Sequence, residues 1–369
     1  MKNNNRFHVI KTSRVSVTFE STDERITGRA GLALYSRYLR SNQLMTIVEL
    51  KFGSMRKNKK GIPVTDLFIQ LLCFFMDGTS RHISWFDHLK SDESYAALLA
   101  TKEECLASSH SVKSFFGRFS FVRDYLFRCL LQRLFIWRLR KTRPNVIELG
   151  IDTMVLENDD ARKRQGVQPT YKKVKEFHPQ QMNWGRYMVD AVFRGGSIHS
   201  NHGDTLEKML VHIVDKIHRE YRDDVPIVVR MDAAFFDEEI FKRCEQLNIG
   251  YLCAGKLYAN VRKSAENATN WRTFTSAGSM DVWEYTEFMS QQGTWEKARR
   301  TICSRLIVVD TQLSLPGMGH DSVIITNIGM GSVVDDLLRQ AGEEHQIRAH
   351  SILSSGITGG VMMNWQTRR

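Results

Sequence analysis

Apolar positions recur at helical spacing through the first third of the chain. The stretch VTDLFIQLLCFFMDG has a Thr/Asp start, apolar residues on one helical face and a glycine at its end, and SRHISWFDHLKSD follows after a short turn. We therefore predict a strand segment over residues 1–27 and a helical domain over residues 28–143. Two helices joined by a glycine turn fit either a DNA-reading helix-turn-helix or a small helical bundle, and the pattern does not choose between them.

From residue 145 the pattern changes to apolar runs that alternate with amphipathic stretches. NVIELGIDTMVLEND predicts a buried strand pair or one long bent strand, and GRYMVDAVFRGG predicts another strand. The stretch HGDTLEKMLVHIVDKIHREY predicts an amphipathic helix, followed by the strand VPIVVRMD, the helix DEEIFKRCEQL and the strand IGYLCAGK. Strands that alternate with helices indicate an α/β domain over residues 144–255, with helices packed on a sheet.

The stretch 256–300 differs from its flanks because it is richer in Thr, Ser, Trp and Tyr and carries short strand signals. We interpret it as a β-rich insertion, after which the α/β pattern resumes over residues 301–355 with TICSRLIVVD and DSVIITNIG. Trp271, Trp283 and Trp295 in the insertion are expected in its core, and stacking of one of them on DNA is the alternative.

Composition adds a basic charge balance to this picture. The formal net charge is +11 and the pI is about 9.4, which favours a polyanionic partner. The six cysteines form no C-x-x-C pair and are typical of reduced thiols. There is no signal-peptide core and no apolar run of membrane-spanning length, so we expect a cytoplasmic, nucleoid-associated protein without a membrane partner.

The basic residues concentrate between residues 111 and 143, where nine Lys or Arg accompany one acid. Arginines recur every five residues from Arg118 to Arg138, a spacing that spreads them around a helix. The stretch is either a helix lying along phosphate backbone or a core helix whose arginines reach solvent at their tips. The candidate phosphate contacts are Arg118, Arg123, Arg128, Arg133, Arg138, Arg140 and Lys141.

Two aspartates follow buried strands. Asp152 comes after VIELGI and Asp232 after VPIVVRM, so both side chains are expected to project into one crevice at the strand ends. Neighbouring carboxylates can hold two Mg²⁺ ions about 4 Å apart for phosphodiester chemistry. The alternative for each is a salt-bridged or helix-capping aspartate, and Asp237 is a competing cap for the helix after Asp232.

The blocks GIDTMVLEND, HGDTLEKMLVHIV and VVRMDAAFFDEEIFKRCEQLNIGYLCAGK resemble the DDE transposases of bacterial insertion sequences, over roughly residues 145–335. That resemblance implies a ribonuclease H-like mixed sheet with flanking helices, interrupted by a β-rich insertion. It also implies that Asp152 and Asp232 are the first two acids of a Mg²⁺ site. The implied activity is cut-and-paste transposition: binding of terminal inverted repeats in double-stranded DNA, then strand cleavage and transfer by a homodimer.

Two more cations join the candidate DNA contacts. Arg230 lies two residues before Asp232, so strand alternation places both on the same face of the sheet, where Arg230 could pair with the carboxylate or with phosphate. Lys256 follows YLCAG, and the resemblance implies that it too lies near the two aspartates.

The third acid of the resembled family lies in a Y-x-x-R-G-x-x-E pattern on a helix, and this sequence lacks that pattern. The nearest acids are Glu343 and Glu344 in RQAGEEHQIRAHSI, which are weak candidates because they lack the preceding Arg-Gly and a solvated helix face explains them better. We therefore expect the third carboxylate to be absent.

The genetic code supplies a reason for this absence. Met and Trp have single codons, so the neighbouring frame of MMNWQ must encode Asp-Glu-Leu-Ala, and ITGGV in that frame permits a preceding N-G-R-G-D. The hidden frame can therefore read R-G-x-x-E, with the spacing of the resembled family. We expect residues 356–369 to be an out-of-frame tail and the chain to be catalytically incomplete. The alternatives are a non-catalytic DNA-binding protein that represses a full-length transposase, or a programmed frameshift that yields a full-length minor product.

Overall fold

The protein's structure, a computed structural model, describes residues 11–12, 15–16, 27–55, 61–119, 121–154, 156–157, 168–169, 175–194, 205–275, 282–307 and 322–329. The chain divides into two units, residues 1–127 and 128–369, and the boundary falls within one long helix. The expected third-acid candidates Glu343 and Glu344 and the tail 356–369 lie outside the described residues.

The first unit is helical, as its apolar periodicity predicts. A two-stranded ladder, β1 (Lys11–Thr12) with β2 (Val15–Ser16), precedes the helices. The helices are α1 (Gly31–Ser41), α2 (Leu44–Phe52), α3 (Val64–Asp77), α4 (Trp85–Ser91), α5 (Glu93–Leu98), α6 (Ser109–Phe116) and the beginning of α7 (Phe121–Thr142).

Helix α3 begins and ends where its sequence signals predict. Pro63 stands immediately before its first residue, and Gly78 ends it with a φ of +64°, a conformation that costs glycine little. Between these stops the helix buries an apolar side where Phe68 packs against Phe52 and Phe115, with ring centroids 5.4 and 5.7 Å apart. Aromatic packing of this kind joins α2, α3 and α6 into one helical core.

The second unit is a mixed sheet with helices. Its larger strands are β3 (Ile147–Thr153), β7 (Gln180–Trp184), β8 (Tyr187–Val192), β9 (Ile227–Met231), β10 (Gly250–Ala254), β11 (Arg272–Thr275), β12 (Val282–Ser290), β13 (Arg299–Ile307) and β14 (Ser322–Thr326). Three short strands, β4 (Leu156–Glu157), β5 (Gln168–Pro169) and β6 (Lys175–Phe177), form a separate small sheet. The helices besides α7 are α8 (Thr205–Glu220), α9 (Glu238–Gln246) and α10 (Ala259–Glu266).

Among the described strands the large sheet has the order β11-β12-β13-β14-β10-β9-β3-β7-β8. Strands β3, β9 and β10 run parallel to one another, while β7 is antiparallel to β3 and forms a hairpin with β8. The five strands from β10 to β8, with α8 and α9 in the connections, have the ribonuclease H-like arrangement, so the predicted fold class is confirmed. The sequence interpretation missed strand β7.

The two faces of the sheet carry different amounts of apolar surface. Alternate residues of β3 and β9, such as Ile151 and Met231, enter a large core with helices α7, α8 and α9. The residues between them point to the other face, where Val228 and Leu252 join a smaller cluster with side chains of the insertion strands. Asp152 and Asp232 therefore lie on the face with the smaller cluster.

The insertion extends the sheet in a way the sequence did not indicate. Strand β13 pairs with β12 from Arg299 to Ile307, and β14 pairs with both β13 and β10. The stretch TICSRLIVVD thus continues an antiparallel meander, although we expected it to resume the α/β pattern. Helix α10 was also not predicted; the domain boundaries at 256 and 300 remain predictions.

A buried arginine joins the insertion to the core helices. Arg299 of β13 is 1% exposed and donates from Nη1 to Glu238 Oε1 at 2.8 Å and from Nε to Glu245 Oε1 at 3.3 Å. Both acids belong to α9, and the guanidinium also lies 5.1 Å from the ring centre of Trp295. The charged hydrogen bonds stabilise both the arginine and the acids, and the pKa of Glu238 is lowered although burial opposes that shift.

Candidate active site

Asp152 and Asp232 lie side by side at the carboxyl ends of neighbouring parallel strands. In the β3–β9 ladder Gly150 pairs with Arg230 and Ile151 with Met231, so the next residue on each strand is an aspartate. Backbone at Asp232 stays extended, with φ −81° and ψ 177°, so strand alternation continues to it. The structure thus brings the two predicted acids together on one face.

The backbone orients both carboxylates. The Thr153 N–H donates to Asp152 Oδ1 at 2.7 Å, and the Ala234 N–H donates to Asp232 Oδ1 at 3.0 Å. The second of these bonds caps the short 3-10 turn Ala233–Phe235, so Asp232 does have the capping role that was its alternative. Asp237 caps the following helix α9 through Glu239 N–H at 2.9 Å, as anticipated.

Ionisation of both carboxylates, Asp152 and Asp232, is energetically unfavourable in this site. Burial raises the pKa of Asp152 and of Asp232, and the neighbouring Asp152 charge raises the pKa of Asp232 further. Backbone hydrogen bonds and the nearby His178 act in the opposite direction on the pKa of both groups. His178 is 7% exposed and was missed by the sequence interpretation, because a histidine in a loop before an unrecognised strand gives no local signal.

The donor set fits a divalent cation. Oδ2 of each aspartate has no hydrogen-bond partner among the described residues, and no described arginine or lysine forms an ion pair with either group. Two adjacent carboxylates with free oxygens are the hard ligands that Mg²⁺ and Mn²⁺ bind. In the part of the chain that the structure describes, however, no third histidine, cysteine or acid completes a ligand group with them.

The two candidate cations near the acids differ in exposure. Arg230 is half-buried on β9, between Gly150 of β3 and Leu252 of β10. Lys256 is exposed just after β10, at the same end of the parallel strands as the aspartates. Both positions suit groups that would meet substrate near the acids, and their DNA contacts remain predictions.

The cations of α7 are distributed around the helix and several are engaged with protein. Arg128 makes a bidentate pair with Asp190, which is fully buried, with both N–O distances 2.7 Å. Arg138 stacks on the Tyr187 ring at 3.3 Å, and Arg140 donates from Nε to the carbonyl of Glu220 at 3.0 Å.

Other cations of the set face solvent or lack a described side chain. Arg133 and Lys141 of α7 are exposed, as is Arg118 in the turn before it. The side chain of Arg123 lies outside the described ones. The insertion tryptophans Trp283 and Trp295 are buried, as expected, whereas half-buried Trp271 lies 4.1 Å from the Arg305 guanidinium.

The strand order and the carboxylate pair define a ribonuclease H-like protein with an acidic site at the ends of its central parallel strands. The sequence profile of the family described as "Transposase DDE domain group 1" matches residues 7–350. The chain belongs to this DDE transposase family. A comparison with curated protein sequences finds no significant match.

Solved transposase structures are distantly similar. The chain aligns with the piggyBac transposase synaptic complex with hairpin DNA at 12% identity and a TM-score of 0.31, covering 92% of this chain and 59% of that one. It aligns with the Mos1 mariner paired end complex with Mn at 11% identity and a TM-score of 0.22, covering 60% of this chain and 76% of that one. The chain thus spans little more than half the length of the piggyBac protein, and the family assignment rests on the profile match.

Over the described ranges, no helix is both long and apolar enough to cross a bilayer.

Proposed function

We propose that this protein is the transposase of a DNA insertion element of bacterial type. It binds the element's terminal inverted repeats in double-stranded DNA, as a homodimer, and its chemistry is metal-dependent strand cleavage and transfer in the cytoplasm, at the nucleoid. The observation that carries the proposal is the register of β3 and β9, which sets two partly buried aspartates side by side without a described arginine or lysine in an ion pair with either.

Asp152 and Asp232 would hold the divalent metal, which we propose is Mg²⁺. Bound metal supplies an activated attacking oxygen and stabilisation of the leaving oxygen in phosphodiester cleavage. The protein's own contribution is orientation: the Thr153 and Ala234 N–H groups fix one oxygen of each carboxylate. Cys253 of β10 also donates from Sγ to the Asp232 carbonyl at 3.4 Å, which holds the second acid against its neighbouring strand.

DNA would be bound by the cations around the acids and by the basic segment before the sheet. The proposed contacts are Arg118, Arg123, Arg133, Arg140, Lys141, Arg230 and Lys256. The DNA contacts of Arg128 and Arg138 remain predictions from the sequence, since these guanidinium groups engage Asp190 and Tyr187. Cations that neutralise phosphates release counterions, so end binding should weaken steeply as salt rises.

The test is cleavage of a supercoiled plasmid that carries the gene with its flanking DNA, in Mg²⁺ or Mn²⁺. Asp152→Asn and Asp232→Asn should abolish any cleavage while leaving binding of the same DNA nearly unchanged. Asp224→Asn is the matched control, since Asp224 is an exposed acid paired with Arg222. Cleavage that survives in both active-site variants would overturn the assignment of the acids.

A second candidate function is a non-catalytic DNA-binding protein that represses a full-length transposase. The observation that favours it is the lack of a third metal-ligating group among the described residues. We also propose that the third carboxylate is missing from this chain. Binding of element ends without cleavage in either metal would support the repressor and contradict the active enzyme.

A further inference from the structure

The exposed side of α7 combines cations with apolar groups. Arg133, Trp137 and Lys141 lie at four-residue intervals, so they are neighbours on one face of the helix. Arg133 and Lys141 are exposed, Trp137 is 55% exposed, and Leu134 beside them is 39% exposed. We name the residues 133, 134, 137 and 141 the α7 ridge.

The opposite side of the same helix explains why the ridge faces outward. Phe135, Ile136 and Leu139 belong to the large core, and Gln132 hydrogen-bonds His212 of α8 at 2.9 Å. The helix is thus fixed with these residues inward. Two further cations of the helix have structural partners: Arg128 pairs with Asp190 and Arg138 stacks on Tyr187.

No acid belongs to α7 between residues 128 and 142, and the acids of β8 and of the second half of α8 have cation partners. Asp190 pairs with Arg128 at 2.7 Å, Asp215 with Arg219 at 3.3 Å, and Glu220 with Lys216 at 2.6 Å. The positive charge of the ridge is therefore not cancelled by neighbouring side chains that the structure describes.

We infer that the α7 ridge binds the phosphate backbone of double-stranded DNA, and that Arg128 and Arg138 hold the helix in place without touching DNA. Eight residues of helix rise about 12 Å from Arg133 to Lys141, the axial span of about three to four phosphates of one strand. The indole N–H of Trp137 is a further donor between them. The inference rests on the proposed DNA-binding function. It separates the cations of α7 that contact phosphate from those that hold the helix against the rest of the protein.

A second copy of the chain is a poorer occupant of this ridge. A two-fold contact would bring the same patch of each copy together, so Arg133 and Lys141 would face cations. Like charges brought together at an interface cost several kcal/mol, whereas duplex phosphates complement both groups.

The experiment measures binding of the full chain to a short mixed-sequence duplex by fluorescence anisotropy across a salt series. Arg133→Gln with Lys141→Gln should weaken binding about ten- to sixty-fold near 0.1 M salt and reduce the log–log salt slope by about 1.8, since each phosphate contact contributes about 0.9. The matched control is Arg222→Gln with Lys297→Gln, which removes two cations that pair with Asp224 and Glu245. Thermal melting checks that both double variants fold.

A second readout locates the contact. Acetylation of Lys141 followed by mass spectrometry should slow when DNA is bound, while acetylation of Lys297 should not change. Binding and salt slope equal to those of the control variant, or unprotected Lys141, would overturn the inference while the proposed function stands. If the unaltered chain binds no duplex at all, the proposed function and the inference fail together.

Discussion

Arg299 and Glu238 form a 2.8 Å ion pair in which the arginine side chain is 2% exposed and the glutamate 12%. The pair joins strand β13 of the insertion to helix α9 of the ribonuclease H-like core, and Glu245 accepts a second bond from the same guanidinium. The insertion is therefore fastened to the core by buried charge as well as by the strand ladder between β14 and β10.

Arg299→Ala should lower the free energy of unfolding by about 3 kcal/mol, because it removes the buried cation of two partly buried carboxylates, which keep only more exposed lysines as partners. Urea denaturation of the purified chain measures the loss. The control is Arg305→Ala, which removes an arginine 48% exposed and paired with Glu284, and should cost about 1 kcal/mol or less. Equal losses in the two variants would contradict the role assigned to Arg299.

Asp152→Asn and Asp232→Asn should each stabilise the metal-free protein, because each removes one of two like charges held together in a partly buried site. A rise in Tm of roughly 2–4 °C is the expected size for a domain of this length. Differential scanning calorimetry in EDTA provides the measurement. A fall in Tm for both variants would show that the ionised pair is not a source of strain.

That stabilisation should depend on pH. The pKa of Asp152 and of Asp232 is raised in the folded protein, so the folded state binds a proton more readily than the unfolded state. The destabilisation is then complete above the folded pKa and disappears below the ordinary aspartate pKa of about 3.9. The advantage of the Asn variants over the unaltered chain should shrink as pH falls from 7 towards 4.

Asp224 supplies a control of opposite sign, since hydrogen bonds from Arg222 lower the pKa of Asp224. Asp224→Asn should destabilise slightly at neutral pH, and that loss should shrink as pH falls through the folded pKa. Denaturant titrations at several pH values distinguish the two cases. A pH-independent difference for the active-site variants would refute the electrostatic account.

Arg128→Gln should destabilise the protein by about 3 kcal/mol or more, because Asp190 would remain buried without a cation. Arg133→Gln on the same helix should change stability by less than about 0.5 kcal/mol, since its side chain is exposed. Chemical denaturation without DNA tests both. Similar stability of the two variants would show that Arg128 is not structural.

Gly255→Ala should cost about 1–3 kcal/mol through overpacking. A Cβ at this position would lie 2.9 Å from Val323 Cγ1 and 3.3 Å from Phe236 Cε2, just beyond the end of β10. Gly293→Ala is the control, because nothing lies within 4 Å of its added carbon. A tolerated alanine at 255 would mean that β10 and β14 adjust more freely than their packing implies.

The central part of the fold was predictable because its parallel strands have clear sequence signals. The runs VIELGI and VPIVVRM are apolar and β-branched, so each aspartate that follows is conspicuous, and parallel strands place both at one edge. The pairing of residue 151 with 231 was not predictable in detail, because strand register depends on contacts between residues far apart in sequence.

Strand β7 was missed for a local reason. Its sequence QQMNW buries Gln180 and Met182 but is otherwise polar, and it lacks the β-branched residues that mark strands. The turn after it contains Gly185 with a φ of +56°, a hairpin signal that the NWGR stretch does offer.

The basic helix shows a different limit. Its charge was evident from the sequence, but the partners of its arginines were not. Asp190 meets Arg128 from 62 residues away, and Tyr187 meets Arg138 only because β8 passes beneath α7. Periodicity indicates the side of the helix on which a residue lies. Tertiary packing determines whether an arginine on that side meets solvent, phosphate or a buried acid.

The position of the insertion in the sheet bears on how such proteins vary. Outward from β10 the sheet continues with β14, β13, β12 and β11, so the outer edge at β11 is the most distant in strand order from the strands of Asp152 and Asp232. Residues gained or lost between β11 and β12 change the rim of the sheet and leave the β3–β9 register untouched. The outer hairpin is thus the part of the sheet whose length can change without moving the strand that carries Asp152 or the strand that leads to Asp232.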